Sequence, residues 1–341
     1  MENSIDLRKQ EITERSSGTY RASPAVDANG LRLAWHTSRH TDLPELVLLE
    51  PKDYASNPDN KAGSKVYDRI KELARVLHGF EPAADSNSHL LKCKGWYDDQ
   101  ATAQFYFVYH LPPECVAIPS SLSSGNGIEF ISLFEAYNTS HPLAGDRVRL
   151  ALALARTLLD IHKKNWLHKG LRSDHIIFFP ARLGGRPNLT CPRVVGFDYA
   201  RRDGPNEYSE KPIDKHLNLY RHPDALRDPT TAFRRLHDYY SLGIVMVEIA
   251  CWKPLAKLLA KRSELKGKEC LEEDIKRVRE ILKEYDSPGS LADVGFRLGI
   301  IYRDVVDVCL NGSFGVSDDD PDRLHESFRQ RVIRELDRCV L

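Results

Sequence analysis

Net charge is what this chain most conspicuously lacks. Its 49 lysines and arginines are matched by 49 aspartates and glutamates, so no global field draws nucleic acid or an anionic membrane. Long apolar runs are missing too, and nothing reaches the ~18 residues of a membrane-spanning helix. The opening MENSIDLRKQEITERSS has no apolar centre and so is no signal peptide. Seven scattered cysteines, odd in number and without a C-x-x-C pair, argue against a disulfide framework or a zinc-finger site. They point to reduced thiols and a cytoplasmic protein. Nucleic-acid binding and a membrane role for this segment are therefore set aside.

What is present is enough chain for two cores. The 341 residues carry an ordinary 41% hydrophobic content. Residues 1–18 are polar and aperiodic and read as a flexible lead-in. Asn29-Gly30 signals a tight turn, with Leu31, Leu33 and Trp35 alternating behind it. ELVLLEPK at 45–52 reads as a strand and 53–64 as a loop. KVYDRIKELARVL at 65–77 reads as a helix burying Val66, Ile70, Leu73, Ala74 and Leu77. HLLKCKGWY and QFYFVYHLP follow as strands. Residues 113–127, rich in proline, glycine and serine, read as a connector.

The remainder reads as mainly helical. A short helix is expected around 129–137, then a long one capped by Asp146 and running to Asn165, with Val148, Leu152, Ala155, Leu159 and His162 on one face. IIFF and RVVGF read as a small hairpin. Residues 238–252 are apolar nearly all round, as in a helix buried inside a domain. The charged 256–285 stretch predicts exposed helices. Leu324, Phe328, Ile333, Leu336 and Val340 mark a closing helix.

Four stretches occur in a telling order: HKGLRSDHIIFF from His168, VVGFDYAR from Val194, YRHPDAL from Tyr220 and HDYYSLGIVMVEIACWKP from His237. They resemble, in turn, the catalytic loop, the metal-binding loop, the end of the activation segment and the buried helix of protein kinases. The likeness is closer to fungal kinase-like domains that accompany HeLo-type prion-inhibition domains in incompatibility and cell-death proteins. The resemblance implies an α+β, bilobal kinase-like fold: a small β-rich lobe with one long helix at 19–112, the connector at 113–127 and a larger, mainly helical lobe at 128–341.

The same resemblance locates the chemistry and its gaps. Gly170 stands where a kinase has its general base, and Gly196 where it has its metal-binding aspartate. The glycine-rich phosphate lid has no counterpart beyond Gly18 and Gly30. Losing a general base alone costs on the order of 10²–10⁴ in rate. Asp174 and Asp198 are the candidate substitutes. His175 occupies the position of the second magnesium ligand, although imidazole suits zinc or copper better. His175 and Asp198 are thus the candidate metal residues, with a hydrogen-bonded loop histidine and a turn-capping or arginine-paired aspartate as their structural readings. Lys52, Glu72, Arg172 and Asp198 are the candidate nucleotide-binding set. His168, Asp224 and Asp238 read as architecture: Asp238 holding the backbone near His168, His168 packing on the metal loop, and Asp224 pairing with an arginine such as Arg303.

The expectation is a catalytically impaired pseudokinase that binds a protein partner, with no cofactor. The alternative is an unorthodox ATP-dependent phosphotransferase that uses a divalent metal with Asp174 and Asp198 in shifted roles. Sequence alone leaves the oligomeric state open.

Overall fold

The structure is a computed structural model, and it describes residues 30–37, 44–53, 62–80, 89–99, 104–112, 115, 130–181, 185–204, 216–227, 232–260, 277–284 and 288–340. The lead-in, Asn29, nearly all of the connector and residues 261–276 lie outside the described residues. The chain is α+β and divides into two units. One comprises Met1–Ser86, Leu90–Phe130 and Phe179–Pro187; the other comprises Asn87–His89, Ile131–Phe178 and Asn188–Leu341.

The first unit is built on an antiparallel sheet of β1 (Arg32–Thr37), β2 (Pro44–Asp53), β3 (Cys93–Asp99) and β4 (Gln104–His110), in the order β1-β2-β4-β3. Central strands are covered on both faces and so lose alternation. Accordingly Val47, Leu48 and Leu49 are all buried, as is every residue from Phe105 to Tyr109. Helix α1 (Ala62–His78) buries Ile70, Leu73, Ala74 and Leu77 at helical spacing and packs on β3. The alternation expected in β1 fails at one position. Trp35 is only half-buried, while Ala34 and His36 are buried, so the two faces of this edge strand are both partly covered.

In the second unit β5 (Ile131–Ser132) leads into α2 (Leu133–Thr139). Ser132 and Glu135 form a reciprocal cap at the junction, worth about 1 kcal/mol. Helix α3 (Ala144–Lys163) follows. Its N-cap is Leu143, so Asp146 lies inside the first turn instead of capping it; there it faces the positive helix end and pairs with Arg149 at 3.0 Å. The turn at the end of α3 delivers β6 (Trp166–Leu167). Next come β7 (Ile176–Phe178) and β8 (Arg193–Val194), which pair antiparallel with each other, while β9 (Arg201–Arg202) pairs with β6.

Helix α4 (Pro223–Arg227) precedes α5 (Arg235–Cys251), in which every residue except Leu236 is buried. Then come α6 (Leu255–Ala260), α7 (Val278–Lys283), α8 (Leu291–Leu298) and α9 (Ile300–Asn311). Helix α9 packs on α5 at Gly243, where an added Cβ would stand 3.1 Å from both Cys309 and Leu310. The expectation of exposed helices over 256–285 is corrected for the described part. Leu255, Leu258, Leu259, Val278, Ile281 and Leu282 are buried, since the lysines and arginines between them occupy only the outer face.

The closing segment is three pieces: α10 (Pro321–Phe328), a π-helical turn at Arg329–Ile333, and α11 (Arg334–Cys339). Buried Leu324, Phe328, Val332 and Leu336 recur every four residues, which overshoots a 3.6-residue turn by about 40° each time. The wider π turn takes up that overshoot. Phe328 thereby stays stacked on Tyr239, with ring centroids 4.1 Å apart.

Candidate functional site

The site is organised by Asp238, at the start of the buried helix α5. One carboxylate oxygen accepts the Lys169 amide at 2.8 Å. The other accepts the His168 amide at 2.9 Å and meets His162 Nε2, also at 2.9 Å. All three of Asp238, His162 and His168 are fully buried. Burial alone would raise the pKa of Asp238. The His162 bond and the donated amides outweigh it and hold the carboxyl below its usual value. The carboxylate also fixes a strained backbone, because Lys169 adopts φ +63°, a conformation that costs an ordinary residue about 1–2 kcal/mol.

His168 carries the next link. Its Nδ1 accepts the Gly170 amide at 3.2 Å and its Nε2 donates to the Val195 carbonyl at 3.0 Å, which fixes one neutral tautomer. The ring also packs on Phe197, centroids 4.7 Å apart. Burial pushes its pKa down to about 4.

His175 closes the loop. Its Nδ1–H donates to the Gly170 carbonyl at 2.6 Å, and its own carbonyl accepts the Val195 amide at 2.9 Å. Burial, with help from the charge of Arg172, holds the imidazole neutral, well below its usual range. The ring lies directly over Gly196. A Cβ built at Gly196 would fall 2.0 Å from His175 Nδ1 and 2.2 Å from its Cγ, and Gly196 adopts φ +84° besides. No side chain fits there while the ring stays. At Gly170 a Cβ would meet the Gly196 carbonyl at 3.0 Å and His175 Nδ1 at 3.5 Å. Gly170, His175 and Gly196, three separate positions in the sequence, are one packed cluster.

The remaining candidates are distributed as follows. Arg172 is buried, with its Nε 3.6 Å from the partly exposed Asp174 carboxylate. Asp198 is half-buried on the turn after Phe197. Lys52 is buried in β2 opposite Phe105, and Glu72 is half-buried on α1, both in the first unit. Among the described residues, neither His175 nor Asp198 belongs to a group of three side chains able to share a metal ion. The expected pairing of Asp224 with Arg303 is corrected. Asp224 is exposed and lies 3.5 Å from His222 Nδ1, whereas Arg303 pairs with its neighbour Asp304 at 2.6 Å. The short Asp224 side chain stays on the surface beside His222.

Sequence reasoning missed a second buried network. Glu248 of α5 accepts the Tyr220 hydroxyl at 2.8 Å and the Leu255 amide at 2.6 Å through Oε1. Its Oε2 stands 3.4 Å from the Tyr137 hydroxyl. Tyr220 in turn meets the Ser173 hydroxyl at 3.0 Å, so the network reaches the same loop. Burial raises the Glu248 carboxyl to about 8. His162 was missed as well; its position on the apolar face of α3 concealed a polar role.

A family profile described as a domain of unknown function (DUF7580) matches residues 120–337, nearly two-thirds of the chain. The chain belongs to this family. The DUF7580 region contains every residue of the Asp238 and Glu248 networks, and leaves Lys52 and Glu72 outside. Comparison with curated proteins gives no match. Among the described residues of the DUF7580 region and the rest of the chain, no helix is long and apolar enough to cross a membrane.

Proposed function

We propose that this protein is a catalytically impaired pseudokinase, a cytoplasmic kinase-like module of two lobes that acts by binding a protein partner. The setting, on the likeness of its motifs, is fungal incompatibility or cell-death signalling. The observation that carries the reading is the His175 ring against Gly196. Phosphoryl transfer needs a carboxylate to hold magnesium and another to orient the acceptor. The first position is closed to any side chain and the second is a glycine. The surrounding scaffold is intact, with Asp238 gripping the loop and His168 bridging to Val195. A loop kept ordered without its reacting groups serves as a shape, and a shape is read by another macromolecule.

The test is incubation of the full chain with labelled ATP and either magnesium or manganese, alone and with a general protein substrate. The expected result is no incorporation of phosphate above a heat-denatured control. Turnover that an Asp198→Ala change abolishes would overturn the proposal and install the transferase alternative in its place.

A further inference from the structure

Away from that loop, and among the described residues, one other group of side chains has metal-ligand chemistry. His222 and Asp224 sit at the start of α4, and His237 sits near the start of α5. One nitrogen from each imidazole and one carboxylate oxygen all lie within 4.8 Å of one another. His222 Nδ1 is 3.5 Å from Asp224 Oδ2. The two imidazoles are stacked, centroids 4.7 Å apart and 12° from parallel. Phe233 stands edge-on to His237 at 5.0 Å and Tyr240 edge-on to His222 at 5.1 Å. His237 is buried, His222 half-buried and Asp224 exposed, so the group has a closed floor and a solvent side.

We propose that His222, Asp224 and His237 form a binding site for a divalent transition-metal ion, zinc foremost, with water completing the coordination. Two arguments support it. The first is distance. Zinc bonds of about 2.0–2.2 Å in tetrahedral geometry set neighbouring ligand atoms about 3.4 Å apart. The His222–Asp224 pair already has that spacing. The widest gap closes by about 1.4 Å, which side-chain rotation of the exposed Asp224 and half-buried His222 supplies.

The second argument is the donor set. Two imidazoles and one carboxylate suit zinc, copper or nickel, whereas magnesium and calcium take oxygen ligands. His222 Nδ1 accepts the Asp224 amide at 3.2 Å, a bond that an ion taking that nitrogen has to displace. The Arg234 amide reaches His237 Nδ1 only at 3.4 Å, a long bond that an ion can displace. The site lies at the positive end of α5 beside Arg234, a field that opposes any cation and that the two imidazoles and the carboxylate have to outweigh. A bound ion joins the segment that ends at Arg227 to α5, one residue before Asp238.

The test uses the full chain, stripped with a chelator and dialysed. Zinc chloride is titrated calorimetrically, and cobalt(II) is added in parallel for its ligand-field absorption. The expected result is one zinc per chain, unaffected by millimolar magnesium. The Asp224→Asn and His222→Asn variants should each weaken binding by roughly tenfold or more, since even an outer-sphere partner is worth 10–100-fold. His237→Asn should abolish the cobalt spectrum. Because His237 is buried, Asp224→Asn on the exposed side decides the matter if the His237 variant does not fold. Absence of zinc binding, or binding undiminished in both Asp224→Asn and His222→Asn, would sink the proposal.

Discussion

Gly196 shows what a residue-scale reading of the sequence gains and what it leaves unseen. The missing aspartate is legible from the motif. Its physical reason is not, because His175 lies 21 positions earlier and only the fold lays its ring on Gly196. A Gly196→Ala change should cost about 2–5 kcal/mol, from roughly 1–2 for the left-handed backbone and about 1–3 for overpacking. Made together with His175→Ala, the same change should lose only the backbone part. The two substitutions are therefore expected to be coupled by more than roughly 1 kcal/mol in urea unfolding. Simple additivity would show that the ring is not what closes the position. Asp224 illustrates the opposite failure: its place in the motif suggested a partner its short side chain does not reach.

Elements were the most legible scale. Hydrophobic periodicity located α1, and apolar runs located β2, β3, β4, the β7–β8 hairpin and the all-round apolar α5. The π turn at Arg329–Ile333 was invisible, since a stripe with a four-residue repeat reads as an ordinary helix over a few turns. The polar lining of α5 was also hidden, because a helix buried all round gives no face on which to notice Glu248. That residue has a measurable signature. Its carboxyl titrates near 4.5 when unfolded and near 8 when folded. Between those values the folded chain retains a proton that the unfolded chain releases, so stability falls as pH rises through that window. Glu248→Gln keeps a carbonyl for Tyr220 and Leu255 and cannot ionise. Its melting temperature should rise relative to that of the wild type as pH climbs through the window, as read by scanning calorimetry, because buried histidines such as His168 act alike in both proteins. Parallel curves in the two proteins would show that Glu248 is not the source.

For the whole molecule, the sequence places the division at a connector. The structure adds that Phe179–Pro187 belongs with the first unit and Asn87–His89 with the second, groupings set by tertiary contact and absent from any local pattern. At this scale the proposal concerns ligand linkage. A nucleotide bound at 100 times its dissociation constant would stabilise the fold by about 2.7 kcal/mol. ATP with magnesium is expected to leave the melting temperature unchanged, and a reproducible upward shift would revive a nucleotide-dependent role. The imidazole lodged on Gly196 also bears on engineering. An acid introduced at 196 meets the ring unless residue 175 is first made smaller. On the pseudokinase proposal, neither change alone yields turnover while 170 stays a glycine, so a phosphotransferase would be reached only by several substitutions made together, with unstable or inactive proteins in between.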